Sequence, residues 1–219
     1  MPSLLSRPRR FHQGVMHPEA FHGARDKGPF FEGWYVKLVA RDGRTIVLIP
    51  GVFKGGDDPH SFVMVADTER DESHLLRFPT SAFRGAEDTF DVTVGPSRFQ
   101  VGGVEVDLPH GDWPIRGSVA FGELSPWPVT ARAPGCMGWY GWMPLECYHG
   151  VVSMAHELVG SLDVAGDTVS FDGGLGYIET DWGRNFPQTW VWMHAFVGGA
   201  SVMVSIARVP FLGGSFPGF

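Results

Sequence analysis

The sequence predicts an all-β, antiparallel fold, on three observations. Apolar residues recur in short alternating runs, and amphipathic helical spacing is nearly absent. The 30 glycines and 17 prolines are scattered between those runs rather than periodic. The connections are short and show no βαβ alternation, which argues against a Rossmann-type fold and for a sandwich or barrel.

The elements follow in chain order. "WYVKLVA" and "TIVLIPGVF" flank "RDGR" and form a β-hairpin turning at Asp42-Gly43. "HSFVMVAD", "ESHLLRF", "TFDVTVG" and "VEVDLP" are short strands separated by Gly, Pro and Asp. The Pro-rich "FGELSPWPVTARAPG" (121–135) breaks the rhythm and joins two expected β subdomains, 29–130 and 131–219, behind an N-terminal extension, 1–28. An echo between "EGWY" (32–35) and "MGWY" (137–140) agrees with that division. "GSLDVAGDTVSF" is a second hairpin, turning at Gly166-Asp167, and "WVWMHAFV–GGA–SVMVSIARV" is a third. The chain stops on Phe219 with Phe211 and Phe216 close by, so the second subdomain is expected to be incomplete at its C-terminal side.

Hydrophobic residues make up 43% of the chain and charged residues 19%, enough apolar surface for a real core. A net charge of −7 argues against a nucleic-acid partner, which needs a basic surface. Cys136 and Cys147 are too few for a disulfide framework or a zinc site and read as buried free thiols. "MPSLLSRPRRFHQG" has positive charge but no apolar run behind it, unlike a secretory signal. No window reaches the roughly 18 apolar residues of a membrane-spanning helix. A cytoplasmic protein is the expectation.

In a strand, alternate residues share a face. If "YIETDW" is extended, Tyr177, Glu179 and Asp181 line one face, and Ile178, Thr180 and Trp182 the other. Turned inward, the two carboxylates sit roughly 7 Å apart in an apolar wall, where burial and mutual repulsion raise a carboxyl pKa. A carboxylic acid kept neutral in a dry pocket is a proton donor. By spacing alone, two solvated or turn-anchoring carboxylates are the commoner outcome.

The same rule puts Trp190, Trp192, His194 and Phe196 on one face, which with Trp34 and Trp182 makes either an aromatic cavity or ordinary core. Glu32, flanked by apolar residues, fits a buried structural bond as well as catalysis. "PLECYHGVVSMAHEL" holds Glu146, Cys147, His149, His156 and Glu157 without the His-Glu-x-x-His spacing, so no metal site is expected. "GVVSM" is not a nucleophile elbow, and "GGLG" lacks the strand-to-helix context of a phosphate loop.

"PFFEGWYVKL" (29–38), "GWYGWMPLECYHGVVSMAHELVGSL" (138–162) and "GYIETDWGRNFPQTWVWM" (176–193), in this order, resemble the tocopherol cyclase family. "SVMVSIARVPFLGGSFPGF" is similar to the segment that follows in its members. The resemblance implies lipocalin-like β-barrels, longer chains and kinship with carotenoid hydratases. The family's plant enzymes protonate the trisubstituted alkene of a prenylated hydroquinone, and a phenolic oxygen captures the tertiary cation. That chemistry implies an acid, a dry cavity and no cofactor.

On the family's Tyr-x-acid-x-Asn/Asp-Trp-Gly motif the proton donor falls on Glu179. Asp181 stands where many relatives carry Asn, and either tunes Glu179 or holds the substrate oxygen. Glu32, Trp34, Tyr140, Tyr177, Trp182, Trp190 and Trp192 are then the substrate-binding candidates, with His149 and His194 orienting the quinol hydroxyl. The expected activity is a tocopherol cyclase-like isomerase (an intramolecular lyase), closing a ring on, or hydrating, a prenylated quinol or isoprenoid alkene. A lipocalin-like carrier of a hydrophobic ligand and a structural β module are the competing expectations. A pocket for long isoprenoids also suggests peripheral membrane contact.

Overall fold

Two-residue alternation along this chain becomes strands, and glycines set where they turn or approach each other. A computed structural model of the protein describes residues 14–26, 28–109, 113–211 and 214–218. The opening "MPSLLSRPRRFHQ" and the terminal Phe219 lie outside the described residues. The strands are β1 (Phe30–Val39), β2 (Thr45–Lys54), β3 (His60–Asp67), β4 (Glu72–Phe78), β5 (Phe83–Gly85), β6 (Asp91–Val94) and β7 (Ser97–Gln100). There follow β8 (Gly103–Leu108), β9 (Ile115–Phe121), β10 (Cys147–Val164), β11 (Asp167–Ser170), β12 (Gly174–Gly183), β13 (Trp190–Val197), β14 (Ala200–Phe211) and β15 (Gly214–Gly218). A 3-10 helix, Gly138–Trp142, precedes β10.

Twelve strands form one antiparallel sheet in the order β4-β3-β2-β1-β12-β10-β9-β8-β7-β6-β5, with β11 added on β10. Its two ends do not pair, so the lipocalin-like sheet curves over on itself as an open sandwich instead of closing as a barrel. Val63 and Val65 from one end share a core with Val92, Val94 and Phe99 from the other. β1 pairs with β12 and β9 with β10, so strands from both sides of residue 130 share this sheet. A second sheet, β13-β14-β15, carries an exposed outer face that includes Val191, Met193, Val202, Val204 and Ile206.

The first hairpin turns at Asp42-Gly43 as expected, with Gly43 at φ +95° and the Arg44 N–H donating to Asp42 Oδ1. The second turns one residue earlier than expected: Ala165 and Gly166 take the positive φ values, and Asp167 already opens β11. β10 is long and bulged, with register shifts between Val151 and His156. The bulge frees the Met154 carbonyl to accept a hydrogen bond from Ser201 of β14, which ties the second sheet to the first. Both cysteines are free thiols. Among the described residues no helix is long and apolar enough to cross a membrane.

Candidate active site

Residues directly opposite in a ladder point to the same side of the sheet. The pairs Trp34↔Thr180 and Glu32↔Trp182 therefore share the inner face, and Tyr35↔Glu179, Lys37↔Tyr177 and His149↔Asp181 share the outer one. The carboxylates of "YIETDW" do lie on one face with Tyr177. That face looks away from the main core and is covered by the Trp192 and His194 side of β13.

Glu179 is 4% exposed at the centre of this cluster. Its Oε2 accepts from the Tyr177 hydroxyl at 2.6 Å and from the Trp192 indole N–H at 2.9 Å, and lies 3.4 Å from His149 Nε2. Among the described residues the side-chain hydrogen bonds of Glu179 all fall on Oε2, which leaves Oε1 for an acidic proton. Burial pushes its carboxyl up to about 7; His149 and the two donors pull against that, and the charge of Asp181 adds to it.

His149 turns its other nitrogen, Nδ1, to Asp181 Oδ1 at 3.0 Å. Burial works against its charge, but Asp181 and the other neighbours outweigh burial and hold the imidazole well above its ordinary pKa. His149 is thus held as an imidazolium between Asp181 and the Glu179 carboxyl. Ligating atoms of His149, Glu179 and Asp181 lie within 4.8 Å of one another, dimensions that admit a cation. In this structure His149 turns a different nitrogen to each carboxylate.

Behind Tyr177, His194 stacks on its ring at 3.8 Å. Lys37 Nζ donates to the His194 carbonyl at 3.0 Å and approaches its Nδ1 at 3.3 Å. The remaining Nε2–H donates to Ser201 Oγ at 2.9 Å, a neutral tautomer consistent with a pKa that burial and Lys37 lower to about 4. Burial and Glu179 together hold the Tyr177 phenol far above its ordinary pKa, so it stays a donor.

The structure gathers Glu179, Asp181, Tyr177, His149, Trp192 and His194, and separates the other candidates from them. Trp34 lies on the inner face, fully buried among Phe21, Phe83 and Phe90. Trp182, also inward, stacks between His22 at 4.0 Å and Tyr148 at 5.5 Å. Glu32 is buried beneath it and accepts from His22 through both ring Nδ1 at 2.6 Å and backbone N–H at 2.9 Å, a structural role. Tyr140 stacks on the exposed Trp139 in the 3-10 helix. A cavity of about 10 Å³, lined among others by Val15, Met137, Tyr148, His149 and Trp182, has room for one water molecule.

Trp190 is 56% exposed and begins a run of rings along the outer face. It meets Phe186 at 5.1 Å, Phe186 meets Phe31 at 5.4 Å, and Phe31 meets Phe53 at 6.3 Å. Phe186 and Phe53 are themselves 47% and 43% exposed. Sequence reasoning missed these phenylalanines, Lys37 and Ser201, because only the pairing of distant strands brings them to this side of the sheet. The alternation within β1 did put Phe31, Tyr35 and Lys37 on one face, a signal that lacked only its partner strand.

Residues 109–210, which hold His149, Glu179, Asp181, Trp192 and His194, match the family model described as tocopherol cyclase-like. No curated protein matches the sequence. Among solved structures, one described as AttH from Nitrosomonas europaea is similar at 15% identity and a TM-score of 0.52, covering 89% of this chain and 67% of its own. Kievitone hydratase from Nectria haematococca is similar at 14% identity and a TM-score of 0.48, covering 87% of this chain and 60% of its own. At such identities the first likeness speaks to the fold alone.

Proposed function

From the tocopherol cyclase-like match over residues 109–210, we propose that the protein is a cofactor-independent acid catalyst that adds an O–H group across an isoprenoid alkene. The observation that carries this reading is Glu179: a buried carboxyl with a pKa of about 7, whose hydrogen bonds gather on one oxygen. The Oε1 proton passes to the less substituted alkene carbon, the π bond breaks, and a tertiary cation forms on its neighbour. A phenolic hydroxyl (cyclisation) or water (hydration) closes the C–O bond.

Trp192 and Tyr35 lie edge-to-face beside the acid at 4.8 Å from each other, and their rings stabilise a developing cation without offering it a nucleophile. The rings from Trp190 through Phe186 and Phe31 to Phe53 continue away from it and give a prenyl chain an apolar path. Tyr177 and Trp192 steady the carboxylate left after proton transfer. The reaction is redox-neutral and asks for no electron carrier.

The test is incubation of a prenylated hydroquinone and of a linear polyene in deuterated water. The reading predicts one deuterium on carbon in the ring-closed or hydrated product, and loss of turnover in Glu179→Gln with an unchanged circular dichroism spectrum. Binding of either compound without deuterium entering carbon in wild-type protein contradicts it and leaves a carrier.

A further inference from the structure

Asp181 is the charged member of the cluster that the acid step leaves without a chemical task. Its ligating oxygen lies within 4.8 Å of that of Glu179, a spacing that suits an acid and a base acting on neighbouring atoms of one substrate. The two carboxylates are in unequal surroundings. Glu179 is sealed, with a side chain 5% exposed, whereas the Asp181 side chain is 31% exposed. Asp181 Oδ1 is occupied by the His149 imidazolium, and among the described residues Oδ2 accepts no side-chain hydrogen bond. Gly33 is its cross-strand neighbour on β1 and carries no side chain over it. A partly exposed oxygen acceptor thus stands beside a buried acid.

We propose that Asp181 is the base of the same reaction: its Oδ2 receives the hydroxyl of the oxygen nucleophile, orients it toward the cation and takes its proton. This rests on the acid role of Glu179 and assigns the other half of the addition. Glu179 Oε1–H gives its proton to the alkene carbon, and the electron pair of the π bond forms the new C–H bond. The nucleophile's oxygen lone pair then forms the C–O bond while its O–H bond breaks toward Asp181 Oδ2. One turnover so far has moved one proton from Glu179 to Asp181. The pair resets as Asp181 releases its proton to solvent and Glu179 takes one up, while the His149 imidazolium stays charged between them, with Nδ1 3.0 Å from Asp181 and Nε2 3.4 Å from Glu179.

The role is read from product partition, using Asp181→Asn and a prenylated hydroquinone in deuterated water, with a thermal melt to verify the fold. A cation formed beside an unoriented hydroxyl loses a proton from carbon instead of closing its ring. Asp181→Asn is expected to keep placing deuterium into recovered and double-bond-isomerised alkene, because Glu179 still supplies the proton. Its ring-closed product is expected to fall by about a hundredfold or more relative to those species, the size typical of a positioned acid or base. An unchanged partition, or an equal fall of deuterium entry and ring closure, overturns the base role and leaves Asp181 as a modulator of Glu179. Deuterium entry lost in Glu179→Gln while Asp181→Asn cyclises normally keeps the acid and removes the base. Wild-type protein that never places deuterium on carbon removes both. Asp181→Glu, which keeps a carboxylate, is expected to recover part of the ring-closed fraction; recovery of none also counts against the base role.

Discussion

Two donors on one oxygen decide how Glu179 works. Tyr177 and Trp192 both favour the ionised carboxyl, while burial and Asp181 favour the neutral one, and burial is the largest influence. Deleting a donor therefore moves the balance toward the acid. Trp192→Phe keeps a ring beside Tyr35 and removes the N–H, so the alkaline limb of the pH–rate profile is expected to shift upward. A downward shift contradicts the assignment.

The same shift makes a stability statement. Glu179 binds its proton more tightly folded than unfolded, so the stability attached to the neutral form is complete below its unfolded pKa of 4.5 and lost as pH rises toward about 7. Glu179→Gln cannot ionise. Thermal melts from about pH 5 to about pH 8 should fall less for this variant than for the wild type.

At the scale of elements, β10 and β14 hold the site together through few bonds. Ser201 accepts from His194 and donates to the Met154 carbonyl that the β10 bulge exposes. Ser201→Ala removes both bonds and strands a carbonyl, with an expected loss of about 1–3 kcal/mol in denaturant unfolding. The site's geometry should loosen with it, seen as a fall in turnover alongside the lost stability. Gly176 leaves the space that the His156 ring fills, since a Cβ there would lie 2.2 Å from Nε2. Gly176→Ala is expected to destabilise through displacement of that ring, again read by unfolding.

What the sequence made legible follows from the reach of local rules. Period-two alternation located β1 to β4, β6, β8, β11, β13, β14 and the C-terminal end of β10, and correctly put Tyr177, Glu179 and Asp181 of β12 on one face. The same alternation already set Trp182 opposite them, and its fate on the inner face agrees with that parity. The face of Trp34 was not legible, because it depends on β1 pairing with β12 some 140 residues away, as in Trp34↔Thr180. Short strands such as β5 and β7 went unread, being only three and four residues long. The Glu179–His149–Asp181 order was likewise hidden in the register between β10 and β12. Only the motif resemblance singled out the acid.

For the molecule as a whole, the two faces of the β1–β12 pair each hold a buried His–carboxyl cluster. On the inner face His22 stacks on Trp182 and donates to Glu32, while its Nε2–H reaches the Gly14 carbonyl at 2.9 Å. This pair fastens residues 14–26 over the sheet, where Phe21 packs on Phe83 and Lys54 Nζ donates to the Gly23 carbonyl. Removing the His22 ring takes the charged partner from the fully buried Glu32 and leaves it only backbone N–H donors, and breaking a buried pair in this way typically costs about 3–5 kcal/mol. Burial raises the pKa of Glu32, so the lone carboxyl is tolerated better when neutral. His22→Ala is accordingly expected to melt far below the wild type at alkaline pH, with a smaller gap in acid. An equal gap at both would show that the strap is held by packing alone.

The central claim is that Glu179 is a neutral acid near pH 7, and difference infrared spectroscopy of wild type against Glu179→Gln tests it most directly. The account predicts a protonated-carboxyl C=O band that is present in mildly acidic buffer, absent from the variant, and lost with a midpoint near the value of about 7. A Glu179 carboxylate that stays ionised down to the ordinary range near 4.5 would contradict it.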